Sequence, residues 1–268
     1  MFNLKNLFSL KKSESNYSLN YDFKSIKVPE KKASHILVFT GGISPAPKNC
    51  VLYFKNSPKP DYIIAADSGL EALSDFQKNF NKLDLLPDAV LGDMDSLKNK
   101  KLLKEFSKTA QVEKFNPYKD FTDTELALIL ASKIKAENTR VTLIGGSGGR
   151  LDHLLAIYDL FSSCLAPDAW LTECQILTLL KKDSTIKLLP RTLSSPISVM
   201  HTSASNNAGR IESKGLEWES ELFRKTGFPS LSNVCSKKNF DSKIPVEITA
   251  RDADFILACD FDCGINHK

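Results

Sequence analysis

Asp93 and Asp95 stand one residue apart in the stretch PDAVLGDMDSL, residues 87–97, directly after a short apolar run, Ala89 to Leu91, and Gly92. Two carboxylates so close repel each other unless a cation lies between them. Mg²⁺ suits the pair, because it takes oxygen ligands and binds through one or two carboxylates plus substrate phosphates. A strand ending this way would deliver both acids to the crevice outside the carboxyl end of an α/β sheet, where such sheets bind ligands. Taken alone, Gly, Asp and Ser also read as an ordinary turn.

Repetition favours a site. Tyr62 to Ala66 is a second apolar run and ends in Asp67, Ser68 and Gly69. Lys119, Asp120, Phe121, Thr122, Asp123, Thr124 and Glu125 place three acids at the head of an Ala- and Leu-rich helical pattern. A further β-like run, Val141 to Ile144, ends in GGSGGRLDH, residues 145–153. Were these strands parallel neighbours, all four junctions would converge on one edge. Thr122 followed by Glu125 has the form of a capping box. Acids in a first turn are favoured by the helix dipole, which accounts for Asp123 and Glu125 structurally but not for Asp120 or Lys119. The glycines from Gly145 to Gly149 bare their backbone N–H groups, which suits phosphate, and Arg150 ends the loop with a planar fork for phosphate oxygens. Gly41 and Gly42, after the run His35 to Phe39, form another turn where backbone can approach a ligand closely. Asp152 and His153 open the helix that follows the glycine loop.

The elements that must carry these residues follow from the rest of the chain. Its 268 residues, 42% hydrophobic and 25% charged, are those of a globular protein of one large or two ordinary domains. The formal charge of +4 is mild and the basic residues are not striped, so neither a nucleic-acid partner nor a membrane is expected. Six scattered cysteines without a C-x-x-C pair read as reduced thiols in a cytoplasmic protein, and Cys259 and Cys263 have too few nearby ligands for zinc. Residues 1–32, rich in Lys, Ser and Asn, read as a poorly ordered N-terminal extension outside the fold. Runs alternating with helical patterns over residues 33–178 predict a mostly parallel α/β sheet domain. Past Pro167 the pattern changes to short β-like runs at 175–180, 185–189, 197–201, 246–250 and 255–259, which predicts an antiparallel β-sandwich over residues 179–268. Ser203 to Arg210 reads as a loop excursion.

The motifs ADSG (66–69), GDMDS (92–96), KDFTDTELAL (119–128), GGSGGRLDH (145–153), GLEW (215–218) and SLSN (230–233) resemble, in this order, the motif set of the thiamine pyrophosphokinase family. The resemblance runs from about His35 to Phe261. It implies an α/β catalytic domain and a β-sandwich, working as a homodimer with thiamine bound between subunits. ATP would give its terminal pyrophosphoryl group to thiamine's hydroxyl, releasing AMP and thiamine diphosphate. Asp67, Asp93, Asp95 and Asp120 would then hold Mg²⁺. Gly41, Gly42, Asp67, Lys119, Gly145, Gly148, Gly149, Arg150 and Asp152 would meet the nucleotide, and Asp120 or Asp123 would take the alcohol's proton. Trp218, Ser230, Ser232 and Asn233 would bind thiamine, Trp218 by stacking and cation–π attraction; a lone aromatic in a β domain otherwise reads as core packing. The chain departs from the family in its long 203–210 loop and its acidic GLEWESE. The rival readings are a Mg²⁺-dependent phosphotransferase or hydrolase acting on another alcohol or nucleotide, and a non-catalytic thiamine or nucleotide sensor.

Overall fold

A computed structural model of the chain describes residues 21–80, 85–205, 208–219 and 230–267. Expectations for residues 1–20, for part of the 203–210 excursion (206–207) and for the end of the GLEWESE stretch lie outside these. Six strands form a parallel array: β1 (Ala33–Phe39), β2 (Tyr62–Ala66), β3 (Ala89–Gly92), β4 (Gln111–Lys114), β5 (Lys135–Ile144) and β6 (Ala169–Leu171), in the order β6-β5-β1-β2-β3-β4. β1 and β2 are buried almost throughout and read as near-continuous apolar runs, as strands covered on both faces do.

Helices α1 (Val51–Asn56), α2 (Gly69–Asn79) and α3 (Lys100–Phe106) cover one face, where Phe54, Leu70, Leu73, Phe76 and Phe106 pack on Leu37, Phe39, Ile63 and Val90. Helices α4 (Asp123–Ile134) and α5 (Leu151–Leu160) cover the other, with Leu126, Ile129, Leu130 and Ile157 against Ile36, Val38, Ile64 and Leu91. The chain changes face after β4 and returns through α4 to β5 on the far side of β1. The order therefore reverses between β1 and β5, which is where open α/β sheets bind ligands.

Past β6 the same sheet continues antiparallel through β7 (Gln175–Leu180), β13 (Phe255–Asp260), β9 (Ile197–His201) and β11 (Ser230–Asn233), giving ten strands in all. A second antiparallel sheet, β10 (Arg210–Lys214), β12 (Val246–Arg251), β8 (Thr185–Leu189) and β14 (Gly264–His267), packs against this extension through Ile186, Leu188, Ile248, Val199 and Leu257. The sandwich is present, but one of its layers is a prolongation of the α/β sheet, and β7 straddles the 178/179 division drawn from the sequence. A short helix α6 (Lys237–Asp241) joins β11 to β12. Among the described residues no helix is long and apolar enough to cross a membrane.

The expectation that residues 1–32 stand outside the fold is corrected for 21–32. The Glu113 side chain accepts the N–H groups of Lys24, Ser25 and Ile26 (2.9, 2.9 and 3.2 Å), and Ile26 is buried. A polar, Lys-rich composition hid this docking, because the segment is held through its backbone.

Candidate active site

Four strand ends and one helix start meet at the carboxyl edge of the parallel array. Asp67 follows β2 with a left-handed backbone (φ 48°), and its N–H donates to the Leu91 carbonyl of β3 at 2.8 Å. Asp tolerates this conformation better than most residues. Gly92 (φ 139°) leaves room for it, since a Cβ there would lie 3.1 Å from Asp67 Cβ. Beyond Gly92, Met94 turns into the core with φ 63° while Asp93 and Asp95 point outward. Thr122 caps α4 with the full capping box to Glu125, and Thr124 in its first turn shares a 2.6 Å hydrogen bond with Thr40 at the end of β1. That contact fixes where Asp123 sits.

Asp67, Asp93 and Asp123 each present a carboxylate oxygen, all within 4.8 Å of one another. Lys119 Nζ lies 3.1 Å from Asp123 Oδ1 and 3.6 Å from Asp93 Oδ2, both contacts largely shielded from solvent. Ser96 donates its hydroxyl to Asp67 Oδ2 and reaches Ser68 Oγ at 3.1 Å. Burial pushes the Asp93 carboxyl up, but the Asp95 N–H, a hydrogen bond with the Asp95 carboxyl and the charge of Lys119 together hold it below the usual range. Asp95 is raised, first by that shared hydrogen bond and then by the charge of Asp93. Asp123 is raised by burial, which outweighs the attraction of Lys119.

The acid set therefore differs from the one expected. Asp67 and Asp93 come together as anticipated, but the third member is Asp123. Asp120 is exposed and precedes the helix cap, whereas Asp123 is the first residue of α4 and is drawn in with the helix end. Asp95 touches Asp93 yet stands exposed at the rim, outside the triad. Lys119, expected at the nucleotide, lies between two of the acids. Ser68 and Ser96 were not singled out from sequence, although both sit inside the quoted motifs.

The triad fits a hard divalent cation. Three carboxylates stand together with Lys119 paired to only two of them, and among the described residues Asp67 Oδ1 is buried without a hydrogen-bond partner. A buried carboxylate oxygen without a partner is costly unless something fills that role.

The glycine loops lie back to back. Gly146 N–H donates to the Gly41 carbonyl at 2.8 Å, and Ile43 and Ser147 form an antiparallel bridge. Gly145 N–H is likewise spent, on the Leu171 carbonyl, so the loop's candidates for phosphate are Gly148 and Gly149. Gly149 (φ 68°) faces open space, while a Cβ on Gly42 (φ 88°) would crowd the Ser147 carbonyl at 3.0 Å. Arg150 and Asp152, both well exposed, form a two-pronged ion pair with each other, with Arg150 Nε 3.1 Å from Asp152 Oδ1.

In the sandwich, Asn233 is buried, its amide bracketing the Trp218 backbone: Trp218 N–H donates to Oδ1 at 3.2 Å and Nδ2 donates to the Trp218 carbonyl at 2.7 Å. The amide is thus used to present Trp218, which is 59% exposed. Ser230 and Ser232 lie beside it on β11, Ser232 with φ 54°. The buried tryptophan of the chain is Trp170, whose Nε1 donates to the Gly145 carbonyl.

A doubly wound sheet with paired glycine loops and a carboxylate triad at its carboxyl edge defines an α/β enzyme that handles phosphate groups. Residues 54–170 match the family model described as thiamin pyrophosphokinase, catalytic domain. Over these residues the chain carries a thiamin pyrophosphokinase catalytic domain. Solved structures share its fold: a thiamin pyrophosphokinase family protein from Enterococcus faecalis (18% identity, 85% of this chain and 99% of that one, TM-score 0.59), the Bacillus subtilis thiamine pyrophosphokinase (16%, 84% and 98%, 0.58) and yeast thiamin pyrophosphokinase (19%, 87% and 88%, 0.53). No curated protein matches the chain.

Proposed function

We propose that the protein transfers the terminal pyrophosphoryl group of ATP to the hydroxyl of thiamine, giving thiamine diphosphate and AMP. The observation that carries this is the convergence of Asp67, Asp93 and Asp123 beside the two glycine loops, within a matched catalytic domain. Residues 33–178 are assigned the nucleotide and residues 179–268 thiamine.

Asp67, Asp93 and Asp123 would hold Mg²⁺, with Asp95 at the rim within reach. Once bound, the ion would offset charge on the triphosphate oxygens. The protein's own part is positioning and charge compensation. Lys119, already between two acids, is placed to shift toward the phosphates, and Gly148, Gly149 and Arg150 to cradle their oxygens. Arg150 would exchange Asp152 for phosphate, a trade of one planar anion for another. Asp120 is assigned the alcohol's proton: Asp123 is committed to the triad, whereas Asp120 is exposed one residue beyond Lys119.

A homodimer is supported by a distance. Asp93 follows β3 and the Trp218–Asn233 bracket sits on β11, eight strand-to-strand steps away in the sheet. At about 4.8 Å per step the two lie roughly 38 Å apart along the sheet. A vitamin-sized molecule cannot touch both in one chain, so a second copy would have to bring its Trp218 to the first copy's acids. The six unpaired cysteines favour the cytoplasm.

Incubation with ATP, Mg²⁺ and thiamine tests the reading. Stoichiometric AMP and thiamine diphosphate are the expected products. Release of ADP or of free phosphate alone, or binding without turnover, would sink it.

A further inference from the structure

We propose that Tyr21, Phe23 and Glu113 are positioning residues for the active site: segment 21–27, laid along edge strand β4, holds the 115–122 loop and so places Lys119 and Asp123 against Asp93. This rests on reading those acids as the reaction centre.

Gln111, Glu113 and Phe115 alternate at the edge strand and so share one of its faces. Each meets the N-terminal segment in turn. Lys27 N–H donates to Gln111 Oε1 at 2.8 Å, the N–H groups of 24–26 converge on the Glu113 carboxylate, and Tyr21 and Phe23 pack on Phe115 with ring centroids 5.8 and 6.4 Å apart. The segment runs antiparallel to β4 but is held by side chains and not by a backbone ladder. Its leading ring reaches further: Tyr21 meets Phe121 edge to face at 6.0 Å. Phe121 immediately precedes the cap of α4, and Lys119 lies two residues before it.

The loop itself is short of regular support. Asn116 Oδ1 accepts the Tyr118 N–H at 2.8 Å, and Lys119 N–H reaches the Pro117 carbonyl at 3.2 Å, both contacts local. Besides the Lys119 ion pairs to Asp93 and Asp123, its longer-range anchor is the aromatic group of Tyr21, Phe23, Phe115 and Phe121. Burial and the Glu113 charge raise the Tyr21 hydroxyl and the Lys119 charge lowers it, so the ring lies within electrostatic reach of the active-site lysine. Edge-to-face aromatic contacts carry a preferred geometry as well as buried area, which is what a positioning contact requires.

Full-length wild type, Tyr21→Ala, Tyr21→Phe and Glu113→Gln are to be compared in steady-state kinetics and in backbone amide hydrogen exchange. In Tyr21→Ala, kcat should fall about tenfold with KM for thiamine within about twofold, as a misplaced catalytic group dictates. Tyr21→Phe should stay within about twofold of wild type, since the ring does the positioning. Exchange at 116–123 should rise about tenfold in Tyr21→Ala and Glu113→Gln, while the β-sandwich keeps its protection. Unchanged exchange at 116–123, loss of protection spread evenly over the sheet, or Tyr21→Phe as impaired as Tyr21→Ala would each overturn the proposal. The exchange arm needs no substrate, so it decides the inference even if the wild type makes no thiamine diphosphate, a result that would instead count against the assigned reaction.

Discussion

At the scale of single residues, the site is an electrostatic compromise. Asp123 is the clearest case: burial disfavours its charge, and Lys119 only partly compensates. Asp123→Asn should therefore leave the metal-free protein at least as stable as wild type at neutral pH while abolishing turnover, checked by thermal melts and product assay. It should also remove the rise in Tm that Mg²⁺ gives wild type, because a ligand that binds only the folded state stabilises it. Asp93→Asn should likewise abolish turnover with the fold intact; a near-normal rate would remove Asp93 from the centre. Trp218→Ala should raise KM for thiamine more than for ATP, its loss being a stacking and cation–π contact worth roughly 0.5 to 2 kcal/mol. An equal effect on both substrates would make Trp218 a packing residue. Which acids matter was only half legible in the sequence. Spacing located Asp93, but spacing cannot distinguish Asp120 from Asp123, because the distinction is made by the Thr40–Thr124 contact between segments 84 residues apart.

At the scale of elements, strands and helices were readable because β2 and β3 are unbroken apolar runs and α4 begins with a complete capping box. The docking of segment 21–27 was not readable, since it depends on backbone N–H groups, which every sequence offers alike. A buried polar chain was missed because its side chains come from positions up to 107 residues apart. His35 of β1 has Nδ1 2.8 Å from the Pro58 carbonyl and so donates there, leaving Nε2 to accept from Thr142 of β5 at 2.9 Å; Thr142 in turn accepts from Tyr53 of α1, and Tyr53 from Arg140 Nε. Desolvation holds the His35 pKa down at about 4, against 6.5 for a free imidazole. The unfolded chain thus takes up a proton below pH 6.5 that the folded one refuses until about pH 4. Stability should fall through that window as pH drops, by on the order of 3 kcal/mol in full. Urea unfolding of wild type and His35→Gln at successive pH values checks this. The variant should be weaker at pH 7, with a flatter slope between pH 6.5 and 5, where carboxylates contribute least.

At the scale of the molecule, the long sheet sets the terms for assembly. If the acids of one copy work with the tryptophan of another, two defective variants should rescue each other at limiting thiamine. Asp93→Asn and Trp218→Ala chains, each inactive or impaired alone, should on mixing and re-equilibration form mixed dimers in which one of two sites is intact, restoring about a quarter of wild-type activity for random pairing. No recovery would count against a site shared between copies.

The continuity of that sheet also governs how the protein can be cut. A piece trimmed to residues 54–170 would discard β1, the strand on which β2 and β5 both hang, and would leave β6 without β7 along its other side. Bare strand margins of that kind recruit one another. Such a fragment is expected to precipitate more readily than the whole chain, and anyone wishing to study the parallel array apart from the sandwich would do better to inactivate one of them in place.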